Sequence, residues 1–203
     1  SIDGLGGNDT IDGQAGSDTI HGGDGNDSIE GNFGNDTLYG DAGDDTITDD
    51  QGSNVLDGGS GNDHLNAHSL TGNQTLLGGS GSDNIHATGK TVNIDGGSDD
   101  DYLEAEGRLR RNHQYEYVNK GHATLNGGLG NDKLQANYYS TAELLGGSGN
   151  DRLNTRHSRD VKLFGEDGDD HLNFYTVGYS SSSTDGNTQL NQSALLDGGN
   201  GND

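Results

Sequence analysis

Residues 4–30 read GLGGNDTID GQAGSDTIH GGDGNDSIE, three consecutive nonapeptides that hold glycine, aspartate and isoleucine at fixed places. The aspartates continue the step through Asp9, Asp18, Asp27, Asp36 and Asp45; Asn54 stands at the next place, and Asp63 resumes the series. Glycine keeps the same step two residues earlier, from Gly7 to Gly61, and one aliphatic residue keeps it from Ile2, Ile11 and Ile20 to Leu65. A period of nine follows no helix face, and one apolar residue in nine is too sparse for a coiled coil. It suits a short strand and a tight turn, with the glycines in backbone conformations closed to other residues and the aliphatic side chain pointing inward. One such unit cannot bury its apolar face; stacked units can, because each coil covers the next.

From residue 58 onward the acidic turn recurs as GGSGND (58–63), GGSGSD (78–83), GGSDDD (96–101), GGLGND (127–132), GGSGND (146–151), GEDGDD (165–170) and GGNGND (198–203). The steps between the last residues of these motifs are 20, 18, 31, 19, 19 and 33, close to twice nine wherever no long insertion intervenes. One coil therefore holds two strands and two turns, about 18 residues, and from residue 66 only one of the two turns stays acidic. The expected fold is all-β, a right-handed parallel β-roll or β-helix solenoid of about ten coils, roughly 50 Å long at the usual strand spacing. Residues 1–65 form its regular part, with acidic turns on both edges; residues 66–203 continue the roll with acidic turns on one edge and irregular insertions on the other. A long ladder runs from Asp9 through Asp27, Asp45, Asp63, Asp83, Asp101, Asp132, Asp151 and Asp170 to Asp203, and a short one holds Asp18, Asp36 and Asn54.

The composition bears on function. A net charge of −24 over 203 residues repels nucleic acid and anionic membranes and attracts cations. No apolar run reaches membrane-spanning length, no signal peptide is visible, and the absence of Cys removes thiolate metal sites and disulfides. The chain begins without Met and stops inside a motif, as expected of a segment of a larger protein. Stacked turns set one carboxylate above another at about one strand spacing, which disfavours folding unless a cation intervenes. Carboxylates and the carbonyls of glycine-rich turns are the donors calcium takes, whereas magnesium demands a tighter octahedron and transition metals want His or Cys. Binding of several Ca2+ ions is then inseparable from folding.

The segments GGDGNDSIE (22–30), GGSGNDHLN (58–66), GGSGSDNIH (78–86) and GGSGNDRLN (146–154) resemble the calcium-binding nonapeptide GGxGxDxUx, where U is a large aliphatic residue. That pattern is characteristic of the repeats-in-toxin (RTX), or haemolysin-type, family. The resemblance implies a parallel β-roll with calcium between successive turns of an edge, in proteins commonly exported by type I secretion. It assigns Asp9, Asp18, Asp27, Asp36, Asp45, Asp63, Asp83, Asp101, Asp132, Asp151 and Asp170 as side-chain ligands, with the preceding turns supplying carbonyl oxygens. The chain departs from the pattern at Asn54, at Asp99 in a glycine place, and at Glu166 in place of the second glycine. The implied role is a calcium-driven folding, stabilising or spacer module of a larger exported bacterial protein, secreted or at the cell surface, and not an enzyme.

All ten Lys and Arg lie from Lys90 onward, so residues 1–89 carry sixteen acidic side chains and no basic one. Arg108, Arg110, Arg111, Tyr115, Tyr117, Tyr138, Tyr139, Arg156 and Tyr175 fall on the irregular edge. Arg and Tyr favour interfaces, and aromatic rings stack on sugars, so a second reading is a glycan-binding or adhesive module for an acidic polysaccharide. The blander reading is that these side chains replace calcium as the cement between coils. A third reading, a β-helix enzyme acting on polysaccharide, needs one insertion row to bring carboxylates together in a cleft. His21, His64 and His171 lie at outward places and read as solvent-facing, and no HExxH, phosphate-loop or nucleophile motif occurs.

Overall fold

The structure, a computed structural model, describes residues 1–69, 71–107, 110–111, 117–118, 121–175 and 193–202. Among the described residues nine coils contribute one strand to each of two parallel sheets, and Ser193–Asp197 adds a tenth strand to one of them. The ten-stranded sheet takes Ile2–Asp3, Thr19–Asp24, Thr37–Ala42, Asn54–Ser60, Asn73–Ser80, Thr91–Ser98, His122–Leu129, Thr141–Ser148, Asp160–Asp167 and Ser193–Asp197, in that order. The nine-stranded sheet takes Thr10–Asp12, Ser28–Glu30, Thr46–Asp49, His64–His68, Asn84–Thr88, Tyr102–Glu106, Lys133–Asn137, Arg152–Arg156 and His171–Tyr175. The chain is thus a parallel β-solenoid, with no helix among the described residues.

Register follows the aliphatic spacing. Ile20 pairs with Leu38, Leu38 with Leu56 and Leu56 with Leu76 in one sheet, while Ile29, Ile47, Leu65, Ile85 and Leu103 stack in the other. These side chains alternate with exposed neighbours at the two-residue period of a strand and meet between the sheets as one buried row. The long insertion leaves the stack intact: Leu103 pairs directly with Leu134, and Ile94 with Leu125. Within that insertion Arg110–Arg111 and Tyr117–Val118 form a small antiparallel pair.

The core changes character after the third coil. Up to Ile47 one aliphatic side chain per strand fills it, but from Leu65 the nine-stranded sheet adds a second inward column, Ala67, Ala87, Ala105 and Ala136, continued by Thr155 and Phe174. Across the roll the column that begins with Asp18 and Asp36 passes through Asn54 and Gln74 to Val92, Ala123, Ala142 and Val161, all buried from Asn54 onward. Packing therefore succeeds the short ladder. The cement is chiefly apolar: among the described residues the Lys or Arg ion pair is Lys162 Nζ with Glu143 Oε2, 3.0 Å apart on the outer face of the ten-stranded sheet.

From the second coil on, the glycine at the fourth place of each acidic turn lies directly against an earlier coil. A Cβ on Gly149, at φ +137°, would overlap the carbonyl of Gly130, whereas one on Gly7, at φ +113° in the first coil, meets nothing. Gly149→Ala should therefore destabilise the calcium-loaded roll by more than the roughly 1–3 kcal/mol of backbone strain expected for both. Thermal unfolding of Gly149→Ala and Gly7→Ala compares them; equal losses would place the whole cost in backbone conformation.

Candidate metal centre

Each Asp of the long ladder divides its two oxygens between two tasks. From Asp27 on, Oδ1 accepts a hydrogen bond from the backbone N–H of the equivalent Asp one coil earlier: Asp9 N donates to Asp27, Asp27 N to Asp45, Asp45 N to Asp63, Asp63 N to Asp83 and Asp83 N to Asp101, at 2.7–2.8 Å. The series crosses the 31-residue step from Asp101 N to Asp132 Oδ1 at 2.8 Å and goes on through Asp151 to Asp170. On the short edge Asp18 N donates to Asp36 Oδ1 at 2.7 Å, and Asp36 N to Asn54 Oδ1 at 3.0 Å. Thus Asp9, Asp18, Asp27, Asp36, Asp45, Asp63, Asp83, Asp101, Asp132, Asp151 and Asp170 all stand in these two rows.

The second oxygen points into the turn. Oδ2 of Asp9, Asp27, Asp36, Asp45, Asp63, Asp83, Asp101, Asp132 and Asp151 is buried and has no hydrogen-bond partner among the described residues. On the long edge it lies over the first glycine of its own motif, beside the carbonyl of the first glycine of the next coil: Asp27 over Gly22 with Gly40 O, and Asp101 over Gly96 with Gly127 O. A side chain in place of that glycine would fill the cradle. One buried carboxylate oxygen per turn, without a donor and next to backbone carbonyls, is an acceptor set with no protein proton to satisfy it, which fits a hard cation. No group of three or more His, Cys, Asp or Glu converges on one point among the described residues, so carbonyl oxygens must complete any coordination shell.

Electrostatics point the same way. Burial, first, and the charges of ladder neighbours push the Asp45, Asp63 and Asp151 carboxyls up to about 6 and Asp101 up to about 7, against the lowering effect of the backbone N–H each accepts. Asp83 and Asp132 rise to about 6 by burial and by Asp99 and Asp100 beside them. These groups give up their protons less readily than free carboxyls, and a counter-ion in the row would favour their charged form.

Two elements were invisible to the aspartate spacing. The residue before each ladder Asp makes a second ladder running the opposite way: the N–H of Asn26 donates to Asn8 Oδ1, Asp44 to Asn26, Asn62 to Asp44 and Ser82 to Asn62. Asn131, Asn150 and Asp169 repeat it along the later coils. The recurring GND was its signal. The other is Asp49, fully buried at the first-glycine place of its motif, whose Oδ2 is also without a donor. Burial and the neighbouring Asp36 push its carboxyl up to about 8.

The expected interaction surface divides. Tyr139 is a correction: it is fully buried in the core against Gly121, because the tight turn at Tyr138, with φ 66°, directs the following side chain inward. Tyr138 is half-buried and stacks on His157 with ring centroids 4.6 Å apart, and the Arg156 guanidinium lies 5.4 Å from the Tyr175 ring centre. Arg108 and Tyr115 lie outside the described residues, as does Asp203 at the end of the long ladder; Arg110, Arg111 and Tyr117 are placed by backbone alone. Of the outward histidines, His21 stacks on Tyr39 and approaches Asp41 Oδ2 at 3.0 Å, and His64 and His171 are exposed.

The family model described as RTX calcium-binding nonapeptide repeat (4 copies) matches residues 3–38, 30–65, 70–89, 77–107 and 117–137, more than half of the chain. The turns at 146–151 and 165–170 lie beyond those residues, yet they extend the same carboxylate ladder. No curated protein and no solved structure matches the chain.

Proposed function

The chain belongs to the RTX calcium-binding nonapeptide repeat family, and from that premise we propose that it is a calcium-driven folding and spacer module of a larger exported protein. The observation that carries this reading is the row of buried, donor-less Oδ2 atoms from Asp9 to Asp151. Bound calcium supplies the positive charge between coils. The protein supplies the rest: Asp Oδ1 fixes each carboxylate on the preceding coil, the first glycine leaves room for Oδ2, and the aliphatic row keeps water from the stack. A chain whose folding waits for calcium stays extended where calcium is scarce and becomes rigid outside the cell, where it is plentiful. That behaviour suits passage through an exporter and a structural rather than catalytic role. Circular dichroism during a calcium titration tests it: the midpoint should fall between micromolar and millimolar calcium, and equimolar magnesium should not substitute. Folding complete below micromolar calcium would remove the advantage for export.

A second reading, recognition of an acidic polysaccharide, is favoured by one feature of the nine-stranded sheet. Tyr102, Lys133, Arg152 and His171 succeed one another in register on its outer face, with Lys133 Nζ 5.9 Å from the Tyr102 ring centre and the Arg156–Tyr175 pair alongside. Cations and rings repeated at strand spacing match a chain of uronate sugars. In calcium, the double variant Arg152→Gln with Arg156→Gln should bind polyuronate about tenfold or more weakly than the parent. A parent chain that ignores polyuronate excludes this role.

A further inference from the structure

The last turn of the short edge departs from every other turn in a coordinated way. By the eighteen-residue step of the short edge Gly13 and Gly31 are followed by Asp49, while Asp18 and Asp36 are followed by Asn54. Glycine has become aspartate and aspartate has become asparagine in one motif, so the turn keeps a carboxylate but moves it across the loop.

The structure gives the exchange a consequence. The Asn54 side chain occupies the ladder place, accepting from Asp36 N at 3.0 Å and donating through Nδ2 to Asp49 Oδ1 at 2.6 Å and to Gln51 O at 3.2 Å. Asp36 Oδ1 is committed to Asp18 N, and Asp49 Oδ1 also accepts the N–H of Gln51 at 3.1 Å. That leaves Asp36 Oδ2 and Asp49 Oδ2, both buried and both without a hydrogen-bond donor among the described residues. They converge beside the Cα of Gly31, where a Cβ would meet both. The Asp36 and Asp49 residues are at most 1% exposed, so water does not screen them.

We propose that Asp36 and Asp49 together hold one divalent cation in a two-carboxylate site at the end of the short edge. The proposal rests on the calcium reading above and adds to it a ligand that the repeat pattern does not contain. Two buried carboxylates turned toward each other destabilise the fold unless a positive charge lies between them. A long-edge cradle receives one such unpartnered carboxylate oxygen, as Gly22 does from Asp27, whereas the cradle at Gly31 receives two, one from each of two successive coils, and affinity for calcium rises with the charge count of the ligands. The site also stands where the roll changes its construction, since the next residues of the two columns are Ala67 and Gln74, followed by Val92. A tight ion there ties the calcium-cemented coils to those held by packing.

Calcium binding to the full chain, measured by competition with a chromophoric chelator, tests the assignment. The parent chain should show one site about tenfold or more tighter than the rest. Asp49→Asn, which keeps the size of the side chain and an acceptor for Asn54, should lose that site and leave the others within about twofold. Asp49→Gly, which restores the residue found at Gly13 and Gly31, should do the same and guards against misfolding of the first variant. Asp63→Asn should remove a weak site and retain the tight one. If Asp49→Asn binds as many ions as the parent with the same affinities, the pair shares a proton and the proposal is overturned. If the parent binds no calcium, the calcium reading itself fails.

Discussion

In calcium-free buffer at neutral pH the chain should lose its β-sheet circular dichroism, and its radius of gyration should approach the roughly 48 Å of an unfolded chain of this length, against about 17 Å when compact. Millimolar calcium should reverse both changes. The reason lies in how little else opposes expansion. In the first coils the interior receives one aliphatic side chain per strand, such as Ile20 facing Ile29, while eighteen residues must be ordered for each coil added. Adjacent carboxylates one strand spacing apart repel by about 3 kcal/mol per pair at an effective dielectric constant of 20. Each coil is stable only on its neighbour, so loss of ions along the ladder should unravel the stack cooperatively. Small-angle scattering and circular dichroism recorded on the same calcium series check the result. A compact, β-rich chain in chelator would overturn the calcium-driven reading.

How much of this was written in the sequence depends on which residue is asked. The step of nine placed Ile11, Ile20, Ile29 and Leu38 correctly in the core because each of their strands offers one inward place to a large side chain, the three-residue strands having no other and the six-residue strands filling their second with Gly22 or Gly40. Insertions did not spoil the reading, since the flanking aliphatics Leu103 and Leu134 still marked the two coils that meet. The second core column carried a signal too. Leu65-Asn66-Ala67, Ile85-His86-Ala87 and Leu103-Glu104-Ala105 alternate with a period of two, a short-range signal that the stronger period of nine overlies. Tyr139 was misread because two adjacent tyrosines in an irregular stretch give no period to say which one turns inward. Asp49 was missed for a different reason. Its role depends on Asn54 five residues away and on Asp36 in the preceding coil, a relation that exists only once the coils are stacked.

Lowering the pH of the calcium-free chain should restore structure that neutral pH removes. The carboxyls of Asp45, Asp63, Asp83, Asp132 and Asp151 stand at about 6 in the roll and that of Asp101 at about 7, above the value near 3.9 of an unfolded chain. Between those limits the folded chain holds more protons than the unfolded one, so stability falls as pH rises. The contribution is complete below about pH 4 and is lost through pH 6–7, the reverse of the usual behaviour of paired carboxylates. Circular dichroism after calcium removal on a chelating resin should therefore show more β-structure at pH 5 than at pH 7.5. Calcium reverses the dependence, because ions need the carboxylates ionised and protons compete for the same Oδ2 atoms. The calcium concentration at the folding midpoint should rise several-fold between pH 7.5 and pH 5.5. Identical β-content at pH 5 and pH 7.5 without calcium would mean that the ladder carboxyls are not held in the buried, mutually repelling row from which these shifts arise.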